Sequence, residues 1–389
     1  MMKKNLFDSS TIYIECGPII CERQFSGIPN VNYHLARDAA SRFGMDRVHF
    51  FHGPNVINKE AISEILRAKT NEPVKKYEVE DRLFVEPLSS SIKRTSYSIG
   101  LFTNSRHGLG RLFDFECQIF HDLTPIITPE FHHQDTIEFH AHEYQRDIDL
   151  LDCAICVSES TKKDVTSYLG LQEERIIVSH LGAEVIDEQL QTTIDHVSGL
   201  EVEPYIVIVG TIEPRKNHKI LFEYLLKNPE VLDSYKVVVV GRNGWGINFE
   251  TLLAKLDGLS PERKSKIIHL GFVSDELKTA LITKASFSVY ASYYEGFGLP
   301  VIEALRLGCP VLASFSSSIP EAGGPACEYF DPDYIESFAQ AFKSLDLKIK
   351  EDRAAVVSKG INWAAGFTWD KFSSRIYAGI RQQIEGNVV

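Results

Sequence analysis

The chain has 389 residues, 44% of them hydrophobic and 24% charged, which excludes wholesale disorder and is too long for one ordinary core. Two domains of roughly 150–200 residues suit that length. With 41 basic against 53 acidic residues the net charge is −12, the opposite of the basic surplus a general nucleic-acid binder carries, so no nucleic-acid partner is expected.

Seven scattered cysteines are an odd number and unlike a secreted disulfide framework, which fits a reducing compartment. Behind Lys3 and Lys4 there is no apolar stretch of the signal-peptide kind, and no run of about 18 apolar residues occurs. A cytoplasmic protein is expected.

In the first half, strands are expected at 11–16, 47–52, 117–121, 153–158 and 175–179, and a helix at 28–42. The stretch 53–116 mixes polar and aromatic residues without a period that assigns elements. Cys153 and Cys156 have redox or zinc spacing but lie in an apolar strand pattern without a second pair, so they read as core. The histidines between His132 and His142 lack a carboxylate-backed metal arrangement and read as a wet loop or helix. The scatter of Lys75, Lys76, Arg82, Lys93, Arg94, Arg106 and Arg111 has two open readings: a solvated face, or a surface that meets an anionic membrane or a phosphorylated lipid-linked acceptor. Polar residues, Gly199 and Pro204 gather over 192–204, which reads as a linker.

The second half is easier to follow. Valine- and isoleucine-rich runs at 205–210, 235–241, 266–271, 286–291 and 310–314 alternate with helical patterns at 217–227, 248–257, 275–284 and 300–307. Near-continuous apolar runs imply strands buried on both faces, hence a parallel sheet covered by helices. The fold class is α/β, with two Rossmann-like doubly wound domains facing across a cleft at the carboxyl ends of their sheets. Residues 1–199 form the first domain and 204–369 the second. A last helix opens after Phe367-Thr368-Trp369.

Two loops carry the chemistry. In Tyr293-Tyr294-Glu295-Gly296-Phe297-Gly298-Leu299-Pro300-Val301-Ile302-Glu303, a strand gives way to a helix, and Pro300 suits its first turn. Gly296 and Gly298 remove side chains where helix-start amides would face an anion. Glu295 stands at the loop mouth and Glu303 about one turn into the helix, placed to hold hydroxyls at opposite ends of a diphosphate-linked ligand. In Gly210-Thr211-Ile212-Glu213-Pro214-Arg215-Lys216-Asn217-His218, two cations stand at a helix N-terminus, where the dipole disfavours them. That placement needs an anionic ligand or a nearby carboxylate. The bland alternatives are an ordinary strand–turn–helix with Glu295 solvated, and an exposed Arg-Lys pair.

These motifs resemble the family-four retaining glycosyltransferases of GT-B architecture, in particular bacterial surface-polysaccharide mannosyltransferases. The resemblance rests on Glu295 and Glu303 as the E-x7-E pair and on Arg215-Lys216-Asn217 as the donor-phosphate motif. Gly308-Cys309-Pro310-Val311, Ser316 to Glu321 and Cys156 to Thr161 also match. One departure stands out: many members have an arginine directly after the strand-ending glycine, where this chain has Thr211.

The resemblance implies a metal-independent retaining hexosyltransferase without a cofactor, acting on a nucleotide-diphosphate sugar and a glycan or lipid-linked oligosaccharide acceptor. GDP-mannose is the first choice of donor, with UDP-glucose and dTDP-rhamnose open. The implied catalytic residues are Glu295, His121, Arg215 and Lys216. Gly27, Thr211, Gly296, Phe297, Gly298, Leu299, Glu303, Phe272 and Val273 are implied to bind the donor. The last helix, 370–387, is implied to return to the first domain, and Trp369 to pack rather than carry sugar. Peripheral association with the cytoplasmic face of the inner membrane would suit such a chain. Alternatives are a nucleotide-sugar epimerase or a catalytically silent nucleotide-sugar binder.

Overall fold

The computed structural model describes residues 6–22, 27–70, 72–93, 95–183 and 203–386. Contacts divide the chain into two compact units, 1–182 with 368–389, and 183–367. Most of the stretch expected as a linker, 192–202, lies outside the described residues. The contact division falls at Gly182/Ala183 and again at Phe367/Thr368.

The first unit is built on an eight-stranded sheet. Its strands are β1 (Thr11–Glu15), β2 (Val48–His52), β3 (Asn55–Ile57), β4 (Phe84–Pro87), β5 (Ser98–Phe102), β6 (Phe115–Phe120), β7 (Cys153–Cys156) and β8 (Ile176–Val178). The order is β4-β3-β2-β1-β5-β6-β7-β8, parallel except for β3, which is antiparallel to both its neighbours. The strand order reverses direction between β1 and β5, and crevices outside the carboxyl ends of such strands are where open α/β sheets bind ligands.

Strands β3, β4 and β5 all fall in the stretch 53–116 that the sequence left unassigned. β3 has only three residues, and all four residues of β4 are exposed, so neither shows the alternation that marks a half-buried strand. Cys153 and Cys156 are buried in β7, as core residues. Arg106, grouped in the sequence with the basic surface, belongs to the interior: its guanidinium pairs with Glu116, and both side chains are fully buried. The N–H groups of Leu112 and Phe113 complete the pair, donating to the same carboxylate at 2.6 and 2.8 Å. Arg111 is tied to Asp152 at 2.6 Å, and Arg94 lies outside the described residues.

The C-terminal helix Trp369–Gly386 lies in this first unit, burying Phe372, Ile376, Tyr377 and Ile380. Trp369 stacks on His34 at 4.3 Å between ring centroids with planes 6° apart, which makes it a packing residue.

The second unit holds a six-stranded, wholly parallel sheet of order β11-β10-β9-β12-β13-β14. The strands are β9 (Tyr205–Val209), β10 (Lys236–Val240), β11 (Ile267–Gly271), β12 (Phe287–Tyr290), β13 (Val311–Ser314) and β14 (Glu328–Phe330). All but β14 follow the apolar runs of the sequence; β14 is a three-residue edge strand with one buried side chain, too short to show a pattern. Helices His218–Lys227, Asp275–Lys284, Leu299–Arg306 and Ile335–Ala364 flank the sheet, the last interrupted at Asp352. Phe222, Val237, Val239, Phe287, Phe338 and Phe342 are among the residues that fill the core.

From β9 the chain adds β10 and β11 on one side, then returns to add β12, β13 and β14 on the other. The switch point therefore lies between β9 and β12. The two loops singled out in the sequence are the ones that leave these two strands.

Candidate active site

After β9 the chain is pinned before its cations appear. Ile212 forms a parallel bridge with Asn243, donating its N–H to the Arg242 carbonyl at 2.9 Å and accepting from Gly244 N–H at 2.9 Å. A short turn, Pro214–Lys216, follows and ends at Asn217 in the left-handed conformation (φ +49°). Asn217 is buried and its amide donates to the Pro332 carbonyl at 3.1 Å, which fixes the turn from behind.

After β12 the chain is clamped by the serines that follow β13. The Glu295 carbonyl accepts from the hydroxyls of Ser317 (3.0 Å) and Ser318 (2.8 Å), and its N–H donates to Ser317 Oγ at 2.9 Å. Gly298 has φ +113°, a conformation L side chains rarely adopt, and caps the helix Leu299–Arg306 with Pro300 in its first turn.

These constraints bring the two loops into contact. Lys216 Nζ lies 2.5 Å from Glu295 Oε1 and Arg215 Nη1 lies 3.0 Å from Glu295 Oε2. Arg215 also reaches Glu213 Oε1 at 3.0 Å and donates to the Tyr294 carbonyl at 2.6 Å. The nearby carboxylate that a cation pair at a helix start requires is thus present. Glu295 is 9% exposed, not solvated. Burial raises its carboxyl pKa, but Lys216 and then Arg215 outweigh that and hold it at about 2. In the ion pairs among the described residues, two cations face two carboxylates, so these four charges balance. The Tyr290 phenol, buried beside it, is pushed well up, by burial first and by the Glu295 charge second.

His218, next to this loop, is 3% exposed, and neither ring nitrogen has a hydrogen-bond partner among the described residues. Burial first, then the charges of Lys216 and His269, push its pKa down to about 3. The unfolded chain takes up this proton from about pH 6.5 downward, whereas the folded ring stays neutral until about 3. The associated stability is therefore complete above about pH 6.5 and is lost as pH falls, by about 2 kcal/mol at pH 5. Urea unfolding at neutral pH and at pH 5 should show this loss in the native chain and a correspondingly smaller one in His218→Leu.

The remaining second-unit residues take different places. Phe297 is buried against Phe367 (5.8 Å), so only its backbone is available to a ligand. Gly296 and Gly298 are buried, while Thr211, Leu299 and Glu303 are half-buried, Glu303 in the second turn of its helix. Phe272, at the end of β11, is 58% exposed with the Arg242 guanidinium 5.5 Å from its ring centre, and Val273 beside it is half-buried.

Gly27 and His121 belong to the first unit. Gly27 (φ +60°) heads the helix Ile28–Phe43 and is exposed, while Ser26 before it lies outside the described residues. His121 follows β6, and its Nε2 is 2.8 Å from the Thr103 carbonyl, so Nε2 carries the hydrogen and Nδ1 keeps a lone pair. Burial pushes its pKa down, against the opposing pulls of Thr103 and Asp122, and the ring is neutral. Asp122 is a turn-former: its Oδ1 accepts from the N–H (2.9 Å) and hydroxyl (2.6 Å) of Thr124.

The sequence assigns no role to Glu213, Ser317 and Ser318, whose part rests on contacts that the folded loops bring together. Residues 191–363 match the family described as glycosyl transferases group 1. The chain carries a group 1 glycosyltransferase domain.

It is 27% identical over 261 residues to O-antigen chain mannosyltransferase B of Escherichia coli, covering 66% of this chain and 67% of that protein. It is 30% identical over 280 residues to the serotype-specific mannosyltransferase WbdA of Escherichia coli, covering 66% of this chain but 32% of that protein. The chain thus spans about a third of the WbdA relative. Among solved structures, a glycosyltransferase from Rickettsia africae superposes with a TM-score of 0.65 at 17% identity, covering 96% of this chain and 98% of that one, which supports the fold. The family match thus covers most of the second unit, and the fold of the chain is of the GT-B type.

Proposed function

We propose that this glycosyltransferase moves a hexosyl residue, mannose as first choice, from a nucleotide-diphosphate sugar to a glycan or lipid-linked glycan, with retention at the anomeric carbon. Surface-polysaccharide assembly of the O-antigen or capsule type is the proposed setting. GDP-mannose is the donor of choice because the relatives above are named mannosyltransferases. The observation that carries the reading is the convergence of Arg215 and Lys216, from one switch-point loop, on Glu295 of the other.

In this reading the donor's diphosphate replaces Glu295 as partner of the two cations and rests against the backbone of Gly296 to Gly298. Freed from them, Glu295 turns to the sugar hydroxyls, and Glu303 holds the ribose. Phe272 and Val273 frame the base. As the glycosidic C–O bond breaks, charge gathers on the leaving diphosphate and is met by Arg215, Lys216 and the helix-start amides rather than by a metal ion. The acceptor hydroxyl passes its proton to the departing phosphate oxygen, so no protein general base is required. Gly27 and His121 are proposed as donor-binding residues of the first unit, Gly27 through its backbone and His121 through the Nδ1 lone pair of a neutral ring.

Peripheral membrane association belongs to the same proposal. Val79 (88% exposed), Val85 (56%) and Phe84 (38%) stand in the same stretch as Lys75, Lys76 and Arg82, a mixture suited to an anionic interface. Sedimentation with anionic vesicles but not neutral ones is the expected result; equal sedimentation with both removes this part.

Thermal denaturation with GDP-mannose, UDP-glucose and dTDP-rhamnose tests the donor. The specific donor should stabilise by about 2.7 kcal/mol at a hundredfold excess over its dissociation constant, and nucleoside diphosphate should be released slowly even without acceptor. Stabilisation by UDP-glucose alone moves the donor assignment. Binding without any release supports a silent binder, and no stabilisation by any of them contradicts the function.

A further inference from the structure

We infer that Cys21, His52 and Glu15 form a base-assisted nucleophilic thiol, a site for covalent modification of Cys21 by small disulfides and soft electrophiles. Glu15 and His52 end β1 and β2, and Cys21 ends the short helix Gly17–Cys21 that follows β1; none of the three has a part in the sugar-transfer reading. Cys21 Sγ is 3.5 Å from His52 Nε2, and His52 Nδ1 is 3.4 Å from Glu15 Oε1. A thiol, an imidazole and a carboxylate in series are the arrangement that activates a nucleophile, and such contacts are often long before a ligand arrives.

The carboxylate is held firmly. Glu15 is 3% exposed; Oε1 accepts from Gly17 N–H at 2.6 Å and Oε2 from the Thr103 hydroxyl at 3.2 Å. Because an ionised carboxylate can only accept, His52 Nδ1 is the donor toward it, which leaves the Nε2 lone pair facing the thiol. Gly17 is the residue that makes this approach feasible: a Cβ there would lie 2.5 Å from Glu15 Oε1 and 2.6 Å from His52 Nδ1. Any other residue at 17 would drive the acid and the base apart. Access favours the same thiol: of the seven free cysteines, Cys21 is exposed, Cys327 is half-buried and the other five are buried.

The charged groups acting on Cys21 are Glu15, Glu22 and Glu78, with His52 at its side. Burial first, then these carboxylates, raise the thiol above its ordinary value, so at rest it is protonated and needs a base. In exchange with a glutathione-type disulfide, His52 Nε2 takes the thiol proton as Sγ attacks one sulfur. The new S–S bond forms as the old one breaks, and the departing thiolate collects the proton from His52. One disulfide is consumed and one mixed disulfide formed, with no other oxidant.

The raised thiol gives the test its sign. Reaction of the full chain with an aromatic disulfide is followed by absorbance across pH, with the labelled cysteine located by peptide mass spectrometry. We expect one fast thiol, Cys21, whose rate inflects below the ~8.5 of an ordinary cysteine; an unassisted thiol here would inflect above it. His52→Gln should slow this phase about tenfold or more and move the inflection upward, and Cys21→Ser should abolish it. The wild-type profile decides by itself if the His52 variant fails to fold. A fast phase that survives Cys21→Ser, an inflection above the ordinary value, or a rate indifferent to His52→Gln in a folded variant overturns the inference.

Discussion

Glu295→Gln is expected to tighten nucleoside-diphosphate binding about tenfold while lowering sugar transfer by about a hundredfold or more. The opposite signs come from the balanced cluster. In the ligand-free chain Lys216 and Arg215 are already satisfied by Glu295 at 2.5 and 3.0 Å, so a diphosphate must displace that carboxylate. An amide is a weaker competitor, which helps the diphosphate. The same amide cannot stabilise positive charge on the sugar, which harms transfer.

Removing the carboxylate also leaves two cations side by side, with Glu213 still paired to Arg215, and breaking a buried pair in this way costs about 3 kcal/mol or more. Added diphosphate should restore much of that loss. Calorimetry, steady-state kinetics and melting with and without ligand read the three effects. Undiminished transfer would refute the role given to Glu295.

Lys216→Ala is expected to lower transfer by about 10²–10³-fold, the usual consequence of removing one fixed donor from a site of developing charge. The variant should fold, because Arg215 still neutralises Glu295. Lys216→Arg should recover only part of the activity: the guanidinium is a planar fork, and the place is shaped for one compact ammonium that also lies 5.5 Å from the Tyr290 ring centre. Initial rates over a range of donor concentrations check this. A Lys216→Ala enzyme within about twofold of the native rate would remove the diphosphate from this loop.

The extent to which these residues were legible depends on how local their signal is. Arg215, Lys216, Glu295 and Gly298 stand at strand-to-helix junctions marked by glycine and proline, so their order along the chain already announces a loop at the edge of a parallel sheet. Strands β9, β10, β12 and β13 were legible as near-continuous apolar runs buried on both faces, and β11 as a similar run although most of it is only half-buried; β14 was not. What the sequence hid depends on distant partners. Ser317 and Ser318 clamp a carbonyl 22 and 23 residues away, and Glu213 matters only because the Arg215 side chain folds back onto it. Arg106 reads as a surface cation until Glu116 is found buried against it. β3 and β4 lack alternation because one is very short and the other exposed throughout. The partnership of Cys21 with His52 joins residues 31 positions apart that share nothing until β1 and β2 pair.

The convergence of both switch-point loops on one diphosphate is tested most directly by calorimetry of a nucleoside and its diphosphate on native and Lys216→Ala protein. The native chain should bind the diphosphate far more tightly than the nucleoside. The substitution should erase most of that gap while leaving nucleoside affinity unchanged. An equal gap in both proteins would mean that Lys216 does not meet the diphosphate.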